Sequence, residues 1–444
     1  MARVNLPSGK NKIRVILKSG KEKPIQGRHP WIFSGAIDEI DDHYQTGDLV
    51  RVYSAQGEFL GTGYLNPRSQ IAVRMLSFEE EAIDKDFFGK RLDEAIGLRK
   101  RFILPSPFPL PAGERGKKEA SLALGGGEGG GEGGTNAYRL IHSEGDFLPG
   151  LIVDRYADYL VAQFQTAGIE KWKDVLLSLL EEKIRPRGIY EKDDTEAREW
   201  EGLEKRAGLL RGEEPPDYVQ IQEYGIPFIV DIHTGQKTGF FLDQRENRKL
   251  VSRYAGGKSV LNLFAYTGGF SVYSALAGAE KVVSVETSER ALNTCRENFK
   301  LNGLLGEKYQ FIQENAFEYL RSPHPSLSPG RGEGGGEGKN FDLIIVDPPA
   351  FAKSKDHIMQ ASRAYKDINL WALKRLRPGG LLYTSSCSSY VDPDLFQKII
   401  FAAAKDARRE VRILQKTSHA PDHPINVFHP EGEYLKGMLC LINL

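Results

Sequence analysis

Cysteine is scarce in this chain: three in 444 residues, at Cys295, Cys387 and Cys440. They are scattered, odd in number and lack paired metal spacing, so neither a disulfide framework nor a zinc site is expected. No apolar run approaches the length of a membrane span, and no signal peptide is evident. The expected compartment is the cytoplasm, with no membrane partner. An excess of one charge is missing too. Lys+Arg number 60 and Asp+Glu number 60, so the chain as a whole makes no electrostatic case for nucleic acid. Residues 1–76 depart mildly, with eleven Lys/Arg against seven Asp/Glu. The strand–turn–helix stretch from Lys258 to Glu286 also lacks GxGxxG, which removes the pyrophosphate fingerprint of nicotinamide and flavin enzymes there.

What is present centres on Lys258 to Glu286. Val260–Phe264 reads as a buried strand, Tyr266-Thr267-Gly268-Gly269 as a turn, and Phe270–Ala277 as a helix. A second apolar run, from Lys281 to Val285, ends on Glu286. Glycines at a strand end let the backbone approach a ligand, since no Cβ intervenes. A carboxylate at the next strand tip can accept from both ribose hydroxyls, and Glu286 lies 18 residues after Gly268, near the spacing of about 20 seen in nucleotide folds. A ligand with a ribose and no pyrophosphate fits, and S-adenosylmethionine is one. An ordinary βαβ unit with a tight turn is the competing reading. Asn262, Phe264, Tyr266, Thr267, Gly268, Gly269 and Glu286 are the candidate cofactor contacts of this unit.

Length alone suggests two or three domains. From Lys12 to Leu76 short apolar runs (13–17, 49–52, 59–63, 71–75) alternate with Gly, Pro and Asn turns and enclose RHPWIFSGAI, Arg28 to Ile37. The order of these pieces resembles a PUA domain, a small RNA-binding β-barrel. Arg28, Trp31 and Arg68 are candidate RNA contacts, set against a reading in which Trp31 is core and the arginines are solvated. Phe78 to Leu104 is predicted as one helix. A small α+β middle domain follows, with strands at 151–153, 159–164 and 188–190, a helix at 171–183, a charged helix and loop at 196–214, and a hairpin around Tyr224-Gly225. His142, Glu144 and Asp146 read as a capped turn rather than a metal site.

Two stretches interrupt this plan. Residues 105–134 and 322–338 are Pro- and Gly-rich and share EGGGEG, at 128–133 and 333–338. Neither has the apolar surface to offset ordering entropy, so both are expected as disordered inserts. Deleting either should leave folding and activity intact; loss of soluble protein would count against that.

Four further stretches carry chemistry. His233 to Arg248 precedes the cofactor unit and offers Lys237, Asp243 and Arg245 as ligand contacts, unless it is a capped helix start with surface charges. Tyr309–Gln313 is a third strand, and Asn315 beyond it could bond an adenine amine. Phe341–Val346 is a strand broken by Asp347-Pro348-Pro349 at its carboxyl end, where open α/β sheets bind ligands. Asp347 can hydrogen-bond a base edge, Pro348 stiffens the loop, and Phe351 can stack on the base. A fifth strand, 381–385, delivers Cys387 beside Asp347 in the usual sheet order, and a hairpin of 411–417 with 434–444 is expected after it. A thiolate there could attack an electron-poor ring carbon, although a lone cysteine is more often buried and inert.

RHPWIFSGAI, EGDFLPGLIVDRY (144–156), GQKTGFFLDQR, LNLFAYTGGFSV, DLIIVDPPAF and SSCSSYV occur here in one order. Together they resemble the bacterial 23S rRNA cytosine-C5 methyltransferase I family over nearly the whole chain outside the inserts. The resemblance implies a class I Rossmann-like α/β methyltransferase domain (231–444), preceded by a PUA-like barrel (1–78) and a small α+β middle domain (79–230). It implies S-adenosylmethionine as cofactor and 23S ribosomal RNA as partner, with a homodimer left open. Cys387 and Asp347 would be catalytic: Cys387 attacks C6 of a cytosine, Asp347 holds the base, and C5 takes the methyl. Asn315 stands where the family commonly carries Asp. Two rivals remain: methylation of an exocyclic amine on the Asp-Pro-Pro loop, with Cys387 incidental, and a non-catalytic RNA-binding assembly factor.

Overall fold

Apolar alternation builds the first sheet. The computed structural model describes residues 13–103, 134–322, 341–352 and 354–443. Strands β1 (Ile13–Leu17), β2 (Trp31–Phe33), β3 (Ile37–Ile40), β4 (Leu49–Tyr53), β5 (Phe59–Leu65) and β6 (Ile71–Ser77) order as β2-β6-β5-β4-β1-β3, with a one-turn helix α1 (Lys23–Gln26) between β1 and β2. In β1 the odd positions Ile13, Val15 and Leu17 point inward, the period of a half-buried strand. The four expected apolar runs are strands, and RHPWIFSGAI contributes β2 and the first residue of β3.

Helix α2 (Lys85–Phe102) starts seven residues later than expected. The Asp84 carboxylate accepts from the backbone N–H of Asp86 and Phe87, which fixes the start there. The middle sheet runs β11-β10-β9-β8-β7, from β7 (Ala137–His142), β8 (Leu151–Tyr156), β9 (Tyr159–Phe164), β10 (Gly188–Asp193) and β11 (Arg206–Gly212). Where one helix was expected at 171–183, α3 (Ala167–Lys171) and α4 (Lys173–Ile184) meet at buried Trp172. Beyond α5 (Glu196–Trp200), the expected loop is instead strand β11, paired on β10. The inserts expected at 105–134 and 322–338 lie outside the described residues apart from Gly134 and Ser322.

The hairpin β12 (Val219–Glu223) and β13 (Ile226–Val230) forms around Tyr224-Gly225. It packs on the C-terminal sheet: Phe228 shares one apolar cluster with Val260, Tyr273 and Tyr383. That sheet has seven strands: β14 (Ser259–Leu263), β15 (Lys281–Glu286), β16 (Tyr309–Gln313), β17 (Phe341–Val346), β18 (Leu376–Ser386), β19 (Val411–Thr417) and β20 (Lys436–Ile442). Their order is β16-β15-β14-β17-β18-β20-β19, with β14 to β18 parallel and β20 antiparallel to both neighbours. Helices α6 (Arg245–Ser252), α7 (Gly269–Leu276), α8 (Glu289–Leu301), α9 (Ala316–Arg321), α10 (Ile358–Arg375) and α11 (Pro393–Ala407) complete the layer structure. The strand order reverses between β14 and β17. Ligands bind such sheets outside the carboxyl ends of the strands at that point, and this edge carries Tyr266, Glu286, Asp347 and Cys387. Among the described residues no helix is long and apolar enough to cross a membrane.

Candidate active site

The turn after β14 is a tense piece of backbone. Phe264 and Tyr266 hold φ of 58° and 48°, a left-handed conformation that costs a side-chain-bearing residue on the order of 1–3 kcal/mol. Neighbours hold it in place. Tyr266 N–H donates to Glu286 Oε2 at 2.9 Å, and the Tyr266 hydroxyl accepts from Gln236 N–H at 2.9 Å and donates to the Gly239 carbonyl at 3.1 Å. Glu286 Oε1 accepts from Ser288 N–H at 2.9 Å. Glu286 thus ties the tips of β14 and β15 together and remains half-buried at the strand end.

Gly268 sits at φ 84°, and a Cβ built there would fall well short of van der Waals contact distance from Cys295 Sγ on α8. Its lack of a side chain is required by backbone conformation and by helix packing. At Gly269 a Cβ would lie 2.9 Å from Arg248 Cδ, another packing constraint.

The edge suits an adenosyl group. Thr267 Oγ1 is buried without a hydrogen-bond partner. Asn315, exposed beyond β16, caps α9 by accepting from Phe317 N–H at 2.9 Å. Phe264, Phe317 and Phe351 form a ring triangle with centroids 6.1–6.4 Å apart. Phe317 was not anticipated; its only sequence signal is its place two residues after Asn315.

The catalytic candidates converge at β17 and β18. Ser385 Oγ donates to Asp347 Oδ1, and Gln244 Nε2 donates to the same oxygen at 2.8 Å. Burial pushes the Asp347 carboxyl up to about 6; the Ser385 bond opposes this, the Asp243 charge adds to it, and Lys237 opposes it. Cys387 Sγ lies 3.9 Å from the Pro348 carbonyl, so the thiol meets the Asp-Pro-Pro loop. Burial pushes that thiol up to about 11, Lys237 pulls it down, and Asp347 and Asp243 push it up. The resting group is a thiol. Tyr365 on α10 braces both loops: Ser386 Oγ donates to its hydroxyl at 2.9 Å, its ring packs 4.7 Å from Phe351, and Ser388 Oγ lies 3.0 Å from its hydroxyl.

Lys237 Nζ stands 3.0 Å from Asp243 Oδ2 and over the Phe241 ring. Tyr434 Oη donates to Asp243 Oδ2 at 2.7 Å, while Asp243 Oδ1 is buried without a partner. Against the cost of burial, Lys237, His423 and Tyr434 hold the Asp243 carboxylate well below the usual range. Asp243 therefore lies with Lys237 on the Cys387 side of the site.

Three expected contacts take other positions. Asn262 is 1% exposed and donates to Ser271 Oγ at 2.9 Å beneath α7, inside the sheet layer. Arg245 is 1% exposed and spends its guanidinium on Asp422, at 3.0 and 2.9 Å. Trp31 is half-buried and engaged within the protein: its indole N–H donates to Glu144 at 2.8 Å, His429 packs 4.3 Å from its ring, and Arg74 lies over it at 5.2 Å. Arg28 is exposed and pairs with Glu79 at 3.0 Å; Arg68 is exposed. Far from this edge, Glu170, Glu191 and Asp193 bring oxygens within 4.8 Å of one another, but Arg198 and Lys173 already pair with them and burial pushes Asp193 up to about 9.

Comparison with known proteins agrees with this geometry. Residues 15–78 match the family model of a PUA-like domain, and residues 204–425 match that of an S-adenosylmethionine-dependent methyltransferase. The ribosomal RNA large subunit methyltransferase I of Aliivibrio fischeri (strain MJ11) is 42% identical over 431 residues, covering 97% of this chain and 99% of its own. The protein of that name from Shewanella denitrificans is 42% identical over 432 residues, covering 97% and 99%. A solved S-adenosylmethionine-dependent methyltransferase from Streptococcus mutans superposes with a TM-score of 0.75 at 25% identity, covering 96% of this chain and 99% of that one. A second solved methyltransferase, complexed with SAH, gives 0.76 at 25% identity with the same coverage. With a PUA-like domain at its start, an S-adenosylmethionine-dependent methyltransferase domain behind it and near-full-length relatives, the chain belongs to the ribosomal RNA large subunit methyltransferase I family.

Proposed function

We propose that this protein methylates C5 of a cytosine in 23S ribosomal RNA through a covalent Cys387 adduct. The observation that carries the reading is the meeting of Cys387 with the Asp347-Pro348 loop at the strand edge, 3.9 Å from sulfur to the Pro348 carbonyl. The relatives' name supports the RNA substrate. S-adenosylmethionine supplies an electrophilic methyl group, and Thr267, Glu286, Asn315 and the Phe264–Phe317 wall would hold it.

Cytosine C5 is a poor nucleophile. Attack of the Cys387 sulfur on C6 forms an S–C6 bond and pushes the ring electron pair toward C5 and N3. Asp347, with its carboxyl near 6, would share a proton with N3 and so hold the adduct's charge. C5 then takes the methyl. Loss of the C5 proton returns an electron pair to the ring and breaks S–C6, regenerating Cys387. Phe351 would stack on the unstacked base, since a base inside a helix is out of reach of such a site. RNA carrying 5-fluorocytidine at the target tests this: with no C5 proton to lose, the adduct persists. A cofactor-dependent complex that survives denaturing electrophoresis is expected, and its absence with an otherwise active enzyme would refute the covalent path.

One observation favours a second reading. The Cys387 thiol, pushed up to about 11, is un-ionised in the resting protein. An amine methyltransferase would leave it so, using Asp347 and the proline loop to hold the amine. Cys387→Ala would then retain activity.

A further inference from the structure

Gln244 stands between two residues that the sequence singles out, Asp243 and Arg245, and its amide reaches the candidate catalytic carboxyl directly. Its Nε2 donates to Asp347 Oδ1 at 2.8 Å, and the Ser385 hydroxyl donates to the same oxygen. One oxygen of the carboxyl thus takes both bonds, and neither bond engages Oδ2. Asp347 is half-buried, at the carboxyl edge of the sheet.

A glutamine amide can present its oxygen or its nitrogen, and its neighbours decide which. Here the decision starts from a backbone carbonyl, which can only accept. Asn247 on α6 donates from Nδ2 to the Ser418 carbonyl at 3.2 Å, and from the same nitrogen to Gln244 Oε1 at 2.6 Å. Tyr383 on β18 adds a second donation to Gln244 Oε1, at 3.3 Å. With its oxygen held from two sides, Gln244 turns its N–H toward Asp347. Gln244, Asn247 and Tyr383 are at most 3% exposed, so a lost partner leaves a buried polar group unpaired. The charged and titratable groups that face Asp347 are Lys237, Asp243 and Arg248 from the loop before α6 and from α6, and Tyr383 and Cys387 from β18 and its turn.

We propose that Gln244 is a positioning residue for Asp347: anchored through Asn247 to the Ser418 carbonyl, it holds Oδ1 together with Ser385 and leaves Oδ2 as the oxygen that meets the target base. The proton passes from Oδ2 to N3 as sulfur adds to C6. It returns to Oδ2 when the C5 proton has left and S–C6 breaks. Between those steps the charge is drawn to Oδ1, where two donors already point. The inference rests on the reading of Asp347 as the group that holds the base.

The test is steady-state methylation of 23S rRNA by the full-length protein, with kcat and KM followed against pH. Gln244→Leu removes the donor; Asn247→Leu leaves Gln244 in place without its anchor. Each should lower kcat about tenfold or more, the worth of one hydrogen bond to a charged group, with KM for RNA and cofactor within about twofold. A donor to a carboxylate favours its ionised form, so losing it raises the carboxyl. The limb of kcat/KM that Asp347 governs, near 6 in the wild type, should therefore move to higher pH in both variants. The two variants act through one bond, so the double variant should be no worse than Gln244→Leu alone. Should the leucine variants fail to fold, Gln244→Glu and Asn247→Asp decide: both set an oxygen against Asp347 and should move the limb the same way. Unchanged kcat and pH limb in folded, cofactor-binding variants, or additive losses in the double variant, would overturn the proposal. Failure of the C5 reading shows separately, as a methylated amine in the product with the limb shifts intact.

Discussion

Gly268→Ala should damage the cofactor turn, and Cys295→Ala should repair part of the damage. Two separate costs arise at position 268. The backbone stands at φ 84°, where a side-chain-bearing residue loses about 1–2 kcal/mol. The new methyl also meets Cys295, whose Cβ lies 3.2 Å away and whose Sγ is closer still. Overpacking of that kind costs about 1–3 kcal/mol. Together the single variant should lose about 2–5 kcal/mol, shared between stability and cofactor affinity. Cys295→Ala alone should cost about 1 kcal/mol, the transfer energy of one buried group. In the double variant the sulfur is gone, so the overpacking cost falls while the backbone cost stays. A double-mutant cycle, with thermal unfolding and calorimetric titration of S-adenosylmethionine, should give a favourable coupling of about 1–2 kcal/mol. Zero coupling would mean that Cys295 does not set the residue at 268. An undamaged Gly268→Ala would refute the turn geometry itself.

The other expectations concern charges and surfaces. Arg245→Leu or Asp422→Leu should cost about 3–5 kcal/mol in thermal stability, because each strands a buried charge, and the double variant should cost less than the sum; a contact with ligand alone would lower cofactor affinity and leave unfolding unchanged. Asp347 is protonated up to about 6 in the folded chain against an ordinary 3.8, so the native state binds more protons between those values and stability falls as pH rises through that window. Asp347→Asn should therefore match the wild type below pH 4 and be up to about 3 kcal/mol more stable above pH 6, while methylation is lost; a variant less stable above pH 6 would contradict the burial argument. Arg68→Ala should weaken RNA binding and reduce the salt slope of log K by about one, whereas Trp31→Phe should leave the slope unchanged and loosen the N-terminal sheet in limited proteolysis.

The strands of the methyltransferase sheet were legible because they are nearly continuous apolar runs, and a break at each carboxyl end marks where side chains emerge. Glu286, Asp347 and Cys387 could be placed on one edge that way. Asn262 misleads because a strand buried on both faces does not show which side chains point along it and which point under a helix. Arg245 misleads because its partner, Asp422, lies 177 residues further along the chain. Trp31 is taken up by Glu144, Arg74 and His429, which three separate modules supply. Gln244 sits inside GQKTGFFLDQR, and only its bond to Asp347, 103 residues further along, shows its part. Local pattern reports what a segment does to itself; these four residues are set by partners that pattern does not contain.

The central claim is a covalent route to 5-methylcytosine, and one measurement addresses it directly. The 23S rRNA is incubated with labelled S-adenosylmethionine and either wild-type protein or Cys387→Ala, and the nucleosides are separated by mass spectrometry. The account predicts labelled 5-methylcytidine from the wild type and none from the variant. A labelled exocyclic amine made equally by both would contradict it and move the chemistry to the Asp347-Pro348-Pro349 loop alone.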